Sequence, residues 1–333
     1  MLSPSKLSVP HLLLAPMEGM VDELMRDVLT RATPYDWCVT EFVRVSGSLL
    51  PARVFLRTVP ELRHASRTAA GTVVRVQLLG SDPACMADNA DRLASLKPAG
   101  IDLNFGCPAP TVNKHRGGAI LLDEPELLHR ICREVSAAVA GRMPFTAKMR
   151  LGVQDKSRAI EAAQALVDGG AQMLVVHART KEEGYRPPAH WPWIARIAEA
   201  VKVPVVANGE IWTVEDYLRC RAESGLQDVM LGRGAVADPY LASRIRRHLR
   251  GEAPAECAGE DWEALQPLLR DYWQAVQIKV EARHAPGRLK QWLNLLRRRY
   301  PQAEQLYQQI KPLRVAAEID RQLDTGWSAA HVR

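Results

Sequence analysis

The sequence predicts an α/β chain in which a (β/α)8 TIM barrel is followed by a small all-α helical domain. Three observations predict it. Strand-like apolar runs alternate with amphipathic helical stretches eight times over about 240 residues, close to the usual size of such a barrel. Nothing strand-like follows residue 250, and the basic charge is concentrated there. With 333 residues, 47% hydrophobic and 25% charged, the chain has the balance of a globular protein with a large core, which excludes a disordered or fibrous one.

Taken in order, the strand candidates are residues 11–17, 38–45, 73–80, 100–107, 145–151, 173–179, 203–209 and 228–234. Helical periodicity fills the gaps, for example at 125–140, 156–168, 193–201 and 213–223, and several of these stretches stop at a glycine before the next strand. A doubly wound open sheet would need a glycine-rich turn after its first strand, and Leu14-Ala15-Pro16-Met17-Glu18-Gly19-Met20 does not supply one. The expected organisation is a catalytic barrel over residues 1–245, a linker over 246–260 and a helical domain over 261–333. The last has helical period at 262–280, 289–300, 303–310 and 315–323, punctuated by Pro286-Gly287, Pro301 and Pro312.

Charge and cysteine usage narrow the class. The net charge of +6 is uneven: the segment from Lys279 to Arg314 carries an excess of +7, leaving the rest near neutrality at −1. A polyanion is the natural partner of such a segment. The six cysteines, at 38, 85, 107, 132, 220 and 257, form no C-x-x-C pair, so neither a disulfide scaffold nor a metal site is indicated. No apolar run of about 18 residues exists, and residues 12–15 are too short for the core of a signal sequence. A cytoplasmic, monomeric protein without a membrane partner is expected.

In such barrels chemistry sits at the C-terminal strand ends. Here those ends carry Pro16-Met17-Glu18, Gln77, Asn104 with Cys107, Lys148 with Arg150, His177, Asn208-Gly209-Glu210 and Gly232-Arg233-Gly234. A strand-end Asn or Gly is ordinarily turn chemistry and a lone His a structural residue, but together they converge on one mouth. The Asn208–Glu210 and Gly232–Arg233 segments suit a phosphate, with open backbone N–H groups and a forked cation. With Gln77, Lys148 and His177 added, the set suits a flat polar heterocycle, flavin mononucleotide (FMN), whose reduced form a cationic Lys148 would stabilise. Cys107, in a Gly-Cys-Pro turn followed by the glycine-containing run His115-Arg116-Gly117-Gly118-Ala119, reads as a general acid rather than a packed small hydrophobe. Asn104, two residues before Gly106, would hold a substrate carbonyl or amide.

These motifs resemble the tRNA-dihydrouridine synthases. The resemblance rests on Leu14-Ala15-Pro16-Met17-Glu18-Gly19, Val76-Gln77-Leu78-Leu79-Gly80, Asp102-Leu103-Asn104-Phe105-Gly106-Cys107-Pro108, Lys148-Met149-Arg150-Leu151-Gly152, Val176-His177-Ala178-Arg179-Thr180, Ala207-Asn208-Gly209-Glu210-Ile211 and Leu231-Gly232-Arg233-Gly234, in order along nearly the whole chain. It implies an FMN barrel, a helical tRNA-binding domain, and reduction of a tRNA uridine to 5,6-dihydrouridine with NADPH (or NADH) as donor. It places the proton donor, a thiol, at Cys107. It places flavin contacts at Pro16, Met17, Glu18, Gln77, Lys148, His177, Asn208, Gly209, Glu210, Gly232 and Arg233. The segments Thr40-Glu41-Phe42-Val43-Arg44, Arg179-Thr180-Lys181-Glu182-Glu183-Gly184-Tyr185 and Leu289-Lys290-Gln291-Trp292-Leu293 are similar to the C subgroup, which acts at position 16 of the D-loop. That similarity implies tRNA contacts at Arg44, Asn104, Tyr185, Arg288, Lys290, Leu295 and Lys311, with Leu295 standing where an aromatic is expected.

The residues themselves leave other readings open. A basic helical face is often only solvated, and Tyr272, Trp273, Trp292 and Tyr300, which strengthen the case for RNA, could be core. A class I aldolase would use Lys148 as a Schiff-base amine. A non-catalytic RNA-binding protein would keep the barrel without needing Cys107, and a reductase of free pyrimidines would not explain the C-terminal charge. Charge reversal at Arg288 and Lys290 is expected to weaken tRNA binding.

Overall fold

The computed structural model describes residues 9–252 and 258–328. Eight parallel strands close a barrel: β1 (Leu12–Leu14), β2 (Trp37–Val39), β3 (Val73–Leu79), β4 (Ile101–Phe105), β5 (Phe145–Arg150), β6 (Leu174–His177), β7 (Val205–Asn208) and β8 (Val229–Leu231), with β8 paired back to β1. Each strand falls inside its expected range or one residue outside it. The expected second strand is interrupted: Trp37–Val39 pairs with Val73–Arg75, and only Val43–Arg44 resumes the ladder, against Leu78–Leu79. The second strand therefore carries one extra residue, a bulge. Thr40 fills the gap by accepting a 3.1 Å hydrogen bond from the Gln77 backbone N–H through Oγ1.

The helices between strands are amphipathic, and their ends follow from local chemistry. Pro125–Val139 buries Leu128, Ile131, Cys132, Val135 and Val139, a stripe with helical spacing. Pro83–Ala94 starts at a proline, which tolerates the first helical turn, behind Asp82, whose carboxylate accepts from Cys85 N–H at 2.7 Å.

The chain divides into two compact units. Among the described residues one holds every strand: 9–16, Tyr35–Ile211 and Glu215–Gly232. The other is helical and comprises, of the described residues, Met17–Pro34, Trp212–Val214, 233–252 and 258–328. Its helices are Glu23–Ala32, Arg233–Ala237, Leu241–Leu249, Ala258–Lys279, Ala285–Leu296, Pro301–Ile310 and Ala316–Ser328. The expected boundary at 245 falls inside Leu241–Leu249, and the helices after β1 and β8 belong to the helical unit. Of the expected linker 246–260, residues 253–257 lie outside the described residues, as does Cys257. Among the described residues no helix is long and apolar enough to cross a membrane, and no group of three His, Cys, Asp or Glu side chains could hold a metal.

Candidate active site

Strand register builds the site in the barrel unit. Gln77 lies beside Asp102 and Asp102 beside Thr146, one row further up Asn104 lies beside Lys148, and at the strand ends Arg150, His177 and Asn208 form a third row. Because side chains two apart on a strand share a face, Asp102 and Asn104 point the same way, as do Thr146, Lys148 and Arg150. The buried polar groups join in one chain: Thr146 Oγ1 donates to Asp102 Oδ1 (2.6 Å), Gln77 Nε2 donates to Asp102 Oδ2 (2.7 Å), and Asn104 Nδ2 donates to Gln77 Oε1 (2.7 Å).

The chain ends on the Cys107 turn. Asn104 Oδ1 accepts from the backbone N–H groups of Gly106 (2.9 Å) and Cys107 (2.8 Å). From the other side the Cys107 carbonyl accepts from Asn113 Nδ2 (3.0 Å) and from Ala119 N–H (3.0 Å). Gly118 sits at φ +67°, where a Cβ would stand 2.7 Å from the Cys107 carbonyl oxygen, so only glycine closes this clasp. Ala119, at the end of the run 115–119, is thus hydrogen-bonded onto the turn, and Cys107 is half-buried. Both acceptor sites of Asn104 Oδ1 are taken, so toward a ligand Asn104 offers a single N–H, which suits a carbonyl oxygen.

Lys148 Nζ donates to Asn208 Oδ1 at 2.9 Å, and Asn208 Nδ2 donates to the Met230 carbonyl at 2.7 Å. Burial pulls the Lys148 ammonium down to about 8, assisted by Arg150 and opposed by Asp102 and Cys107. Burial also raises the Asp102 carboxyl, while the Gln77 and Thr146 hydrogen bonds and the Lys148 and Arg75 cations pull it back. Gly209, at φ +114°, lets its backbone pass His177, whose Nε2 would lie 3.3 Å from a Cβ there. Glu210 is left-handed at φ 59° and its carboxylate pairs with buried Arg179.

Arg150, a strand-end residue to which the sequence assigns no role, ties the turns together. Its Nε donates to the Gly106 carbonyl (2.8 Å) and its Nη1 to those of Thr180 (3.0 Å) and Gly184 (2.8 Å). Its guanidinium lies 5.2 Å from the Tyr185 ring, and that ring meets His177 edge-on at 6.2 Å. Tyr185 is 52% exposed. Its loop is held by Glu183; burial alone would raise this carboxyl, but Lys156, the Thr180 N–H and His190 bring it down to about 2. Arg44, on the short second segment of the bulged strand, is half-buried. Pro16 lies two residues past the end of β1 and Gly232 follows β8; both are half-buried.

The remaining expected residues lie in the helical unit. Met17 anchors the turn before Glu23–Ala32, its carbonyl accepting from Met20 and Val21 N–H at 3.0 and 2.9 Å, and Glu18 lies within that turn. Arg233 stands at the start of Arg233–Ala237 with its guanidinium 5.0 Å from the Trp212 ring, which Arg298 also approaches at 4.2 Å. Arg288 and Lys290 are committed inside the unit. Arg288, 16% exposed, pairs with Asp22 (2.6 Å) and donates to the Gly19 carbonyl (2.6 Å). Lys290 Nζ donates to the Lys311 (3.0 Å) and Leu313 (2.5 Å) carbonyls, and burial, then Arg314, lowers its ammonium. Charge reversal at these two positions therefore tests folding before it tests RNA. Leu295 is half-buried, and Lys311 and Arg314 are exposed.

The aromatic residues read toward RNA are corrected in the same way. Tyr272, Trp273, Trp292 and Tyr300 are all buried. Trp273 donates to Asp320 (2.6 Å), Trp292 donates to the Val236 carbonyl (3.2 Å), and Tyr272 meets Trp292 edge-on at 4.9 Å. They are the core of the helical unit, where large aromatic areas contribute most. Sequence reasoning assigned no role to Asp102 or Arg179; the signal for Asp102 was its position two residues before Asn104 on one strand.

A closed parallel barrel with amides, a cation and one thiol at its strand ends defines an enzyme of barrel type with a donor-rich mouth. The chain belongs to the dihydrouridine synthase (Dus) family, whose profile matches residues 13–325. It is 57% identical over 310 residues to a tRNA-dihydrouridine(16) synthase of Aquipseudomonas alcaligenes, covering 93% of this chain and 98% of that one. It is 58% identical over 309 residues to a tRNA-dihydrouridine(16) synthase of Ralstonia nicotianae, covering 93% and 94%. Among solved structures, histamine dehydrogenase from Rhizobium sp. 4-9 superimposes with a TM-score of 0.54 at 15% identity, over 79% of this chain and 48% of that one, a likeness of fold.

Proposed function

We propose that this enzyme reduces a uridine of the tRNA D-loop, at position 16, to 5,6-dihydrouridine. What carries the reading is the Cys107 turn, fixed beside Lys148 at the strand ends, in a chain alike over nearly its whole length to proteins named for that reaction. FMN fits the residues present. Lys148 and the backbone around Gly209, where a Cβ would crowd His177, form a donor set for a heterocycle bearing carbonyl and imine acceptors, and Gln77, completely buried, reaches the site through Asn104. Pro16, Met17, Glu18, His177, Asn208, Glu210, Gly232 and Arg233 complete the proposed contacts. NADPH is the proposed electron donor.

Saturating the C5=C6 bond of uracil requires a hydride at one carbon and a proton at the other. When bound, the flavin supplies the hydride, to C6. Cys107 gives its thiol proton to C5, and the resulting thiolate is reprotonated from solvent. Asn104, able only to donate toward the ligand, holds a uracil carbonyl. Tyr185, exposed beside His177, walls the everted base. Eversion from the stack costs a few kcal/mol, which phosphate contacts elsewhere on the tRNA offset. Residues 261–333 are proposed to supply such contacts, Lys311 among them.

Mapping dihydrouridine in tRNA from a strain lacking this gene tests the proposal. Loss of the modification at position 16 alone is the expected result; an unchanged position 16 overturns it. The purified protein is expected to be yellow, and borohydride should trap no substrate on Lys148, which separates it from a Schiff-base aldolase.

A further inference from the structure

Asp102 has no place in the chemistry just described, yet it is fully buried and linked through two amides to the backbone of Cys107. We infer that Asp102 is a positioning residue: a buried group that accepts hydrogen bonds, it sets the direction of the Gln77 and Asn104 amides and through them holds the Cys107 turn.

The direction follows from what each group can do. An ionised carboxylate only accepts. Its Oδ2 takes the Gln77 Nε2–H at 2.7 Å and its Oδ1 the Thr146 hydroxyl at 2.6 Å. Gln77 is thereby held with its nitrogen toward Asp102 and its Oε1 toward Asn104, whose Nδ2 donates to it at 2.7 Å. Asn104 is left with Oδ1 facing the Gly106 and Cys107 N–H groups, which only donate. Turning either amide over sets donor against donor or acceptor against acceptor, in a place where Gln77 is 0% exposed and no water replaces the missing partner. The two ends of the chain, one accepting and one donating, agree on a single direction.

Two cations face Asp102 from neighbouring strands, Lys148 and Arg75. Asp102 could therefore act through its charge, and the experiment has to separate charge from hydrogen-bond direction. The asparagine variant does so. Its amide oxygen can take the Gln77 N–H and its amide nitrogen can donate to Thr146 Oγ1, so the direction survives while the charge is gone. Alanine leaves Gln77 Nε2–H without its partner and frees the relay to reorganise.

The readout is alkylation of Cys107 by iodoacetamide in the full-length protein, followed by peptide mass, with the half-buried Cys85 as internal reference. It needs neither tRNA nor reductant. The inference rests on the proposed reaction only for its catalytic meaning, and a different substrate would leave the alkylation result standing. Asp102→Ala is expected to accelerate Cys107 alkylation about three- to tenfold, the worth of a hydrogen bond, with Cys85 unchanged. Asp102→Asn is expected to remain within about twofold of the native rate. In an Asn104→Ala background the Asp102→Ala change should add nothing, since the link it acts through is gone. Should Asp102→Ala fail to fold, Gln77→Leu cuts the same chain one link later and must give the same acceleration. A native Cys107 rate in Asp102→Ala or Gln77→Leu overturns the inference, as does an Asp102→Asn rate equal to that of alanine, or full additivity with Asn104→Ala.

Discussion

The barrel unit and the helical unit hold their polar residues in different ways. In the barrel, eight strands in fixed register bring Gln77, Asp102, Asn104, Lys148, His177 and Asn208 into adjacent rows, and hydrogen bonds between them still leave N–H groups to offer a ligand. In the helical unit the charged residues mostly satisfy each other: Arg31 with Asp271, Lys279 with Glu23, Arg288 with Asp22, Arg297 with Glu304. A row of polar residues across a barrel indicates a site, whereas a count of cations along helices indicates an interface only after internal ion pairs are removed.

The sharpest separation of the two is at Cys107. Cys107→Ala should lower dihydrouridine formation about 10²–10⁴-fold, the usual worth of a positioned general acid, while tRNA affinity and flavin content stay native. Quantifying dihydrouridine by mass spectrometry with tRNA binding measured in parallel checks it; loss of both together would merge the two units' roles.

Arg288 tests the helical side. Because it is largely buried against Asp22 and the Gly19 and Met20 carbonyls, Arg288→Glu should cost about 2–4 kcal/mol of stability. Urea unfolding is the measurement. Pairing it with Asp22→Arg should recover part of that stability, which a phosphate-binding arginine would not show.

The barrel was legible in the sequence because short apolar runs separated by helical stretches leave few alternatives, and motif residues at strand ends inherit their place from the fold. The bulge at Thr40 was not, since its cause is the partner strand's Gln77 N–H. Asp102 was passed over because a strand aspartate shows its partners only once neighbouring strands are in register. The helical unit misled most. Tyr272, Trp273, Trp292 and Tyr300 lie in the same sequence segment as the cations, but burial separates the two sets, and linear order carries no information about which face of a helix is covered. The unit's recruitment of Met17–Pro34 is equally invisible before folding.

Lys148 gives a pH test within the barrel. Its folded value of about 8 lies below the ordinary 10.5, so between these pH values the unfolded chain binds the proton and the folded one does not. Stability should therefore rise as pH climbs through that window, and the native ammonium is a burden at neutral pH. Lys148→Met should remove that rise and raise stability at pH 7 by about 1 kcal/mol, the Asn208 Oδ1 left without its donor limiting the gain. Dihydrouridine formation should fall meanwhile. Urea unfolding of the cofactor-free protein at pH 7 and pH 10 distinguishes this from an ordinary exposed lysine, which would show no such slope.

The smallest effect is the one that makes the helical unit's charge meaningful. Lys311 and Arg314 are exposed, so their charge remains for an outside partner, unlike that of Arg288. Removing one cation from a phosphate should flatten the dependence of log affinity on log salt by about 0.7–0.9. Lys311→Glu with Arg314→Glu should thus lower the slope by roughly 1–2 and leave stability within about 0.5 kcal/mol. A native slope would mean that the basic excess of this segment is a solvated face after all, and that tRNA is gripped elsewhere. Exposure with charge is a necessary condition for binding a phosphate, and the salt slope is the measurement that shows whether it is also sufficient.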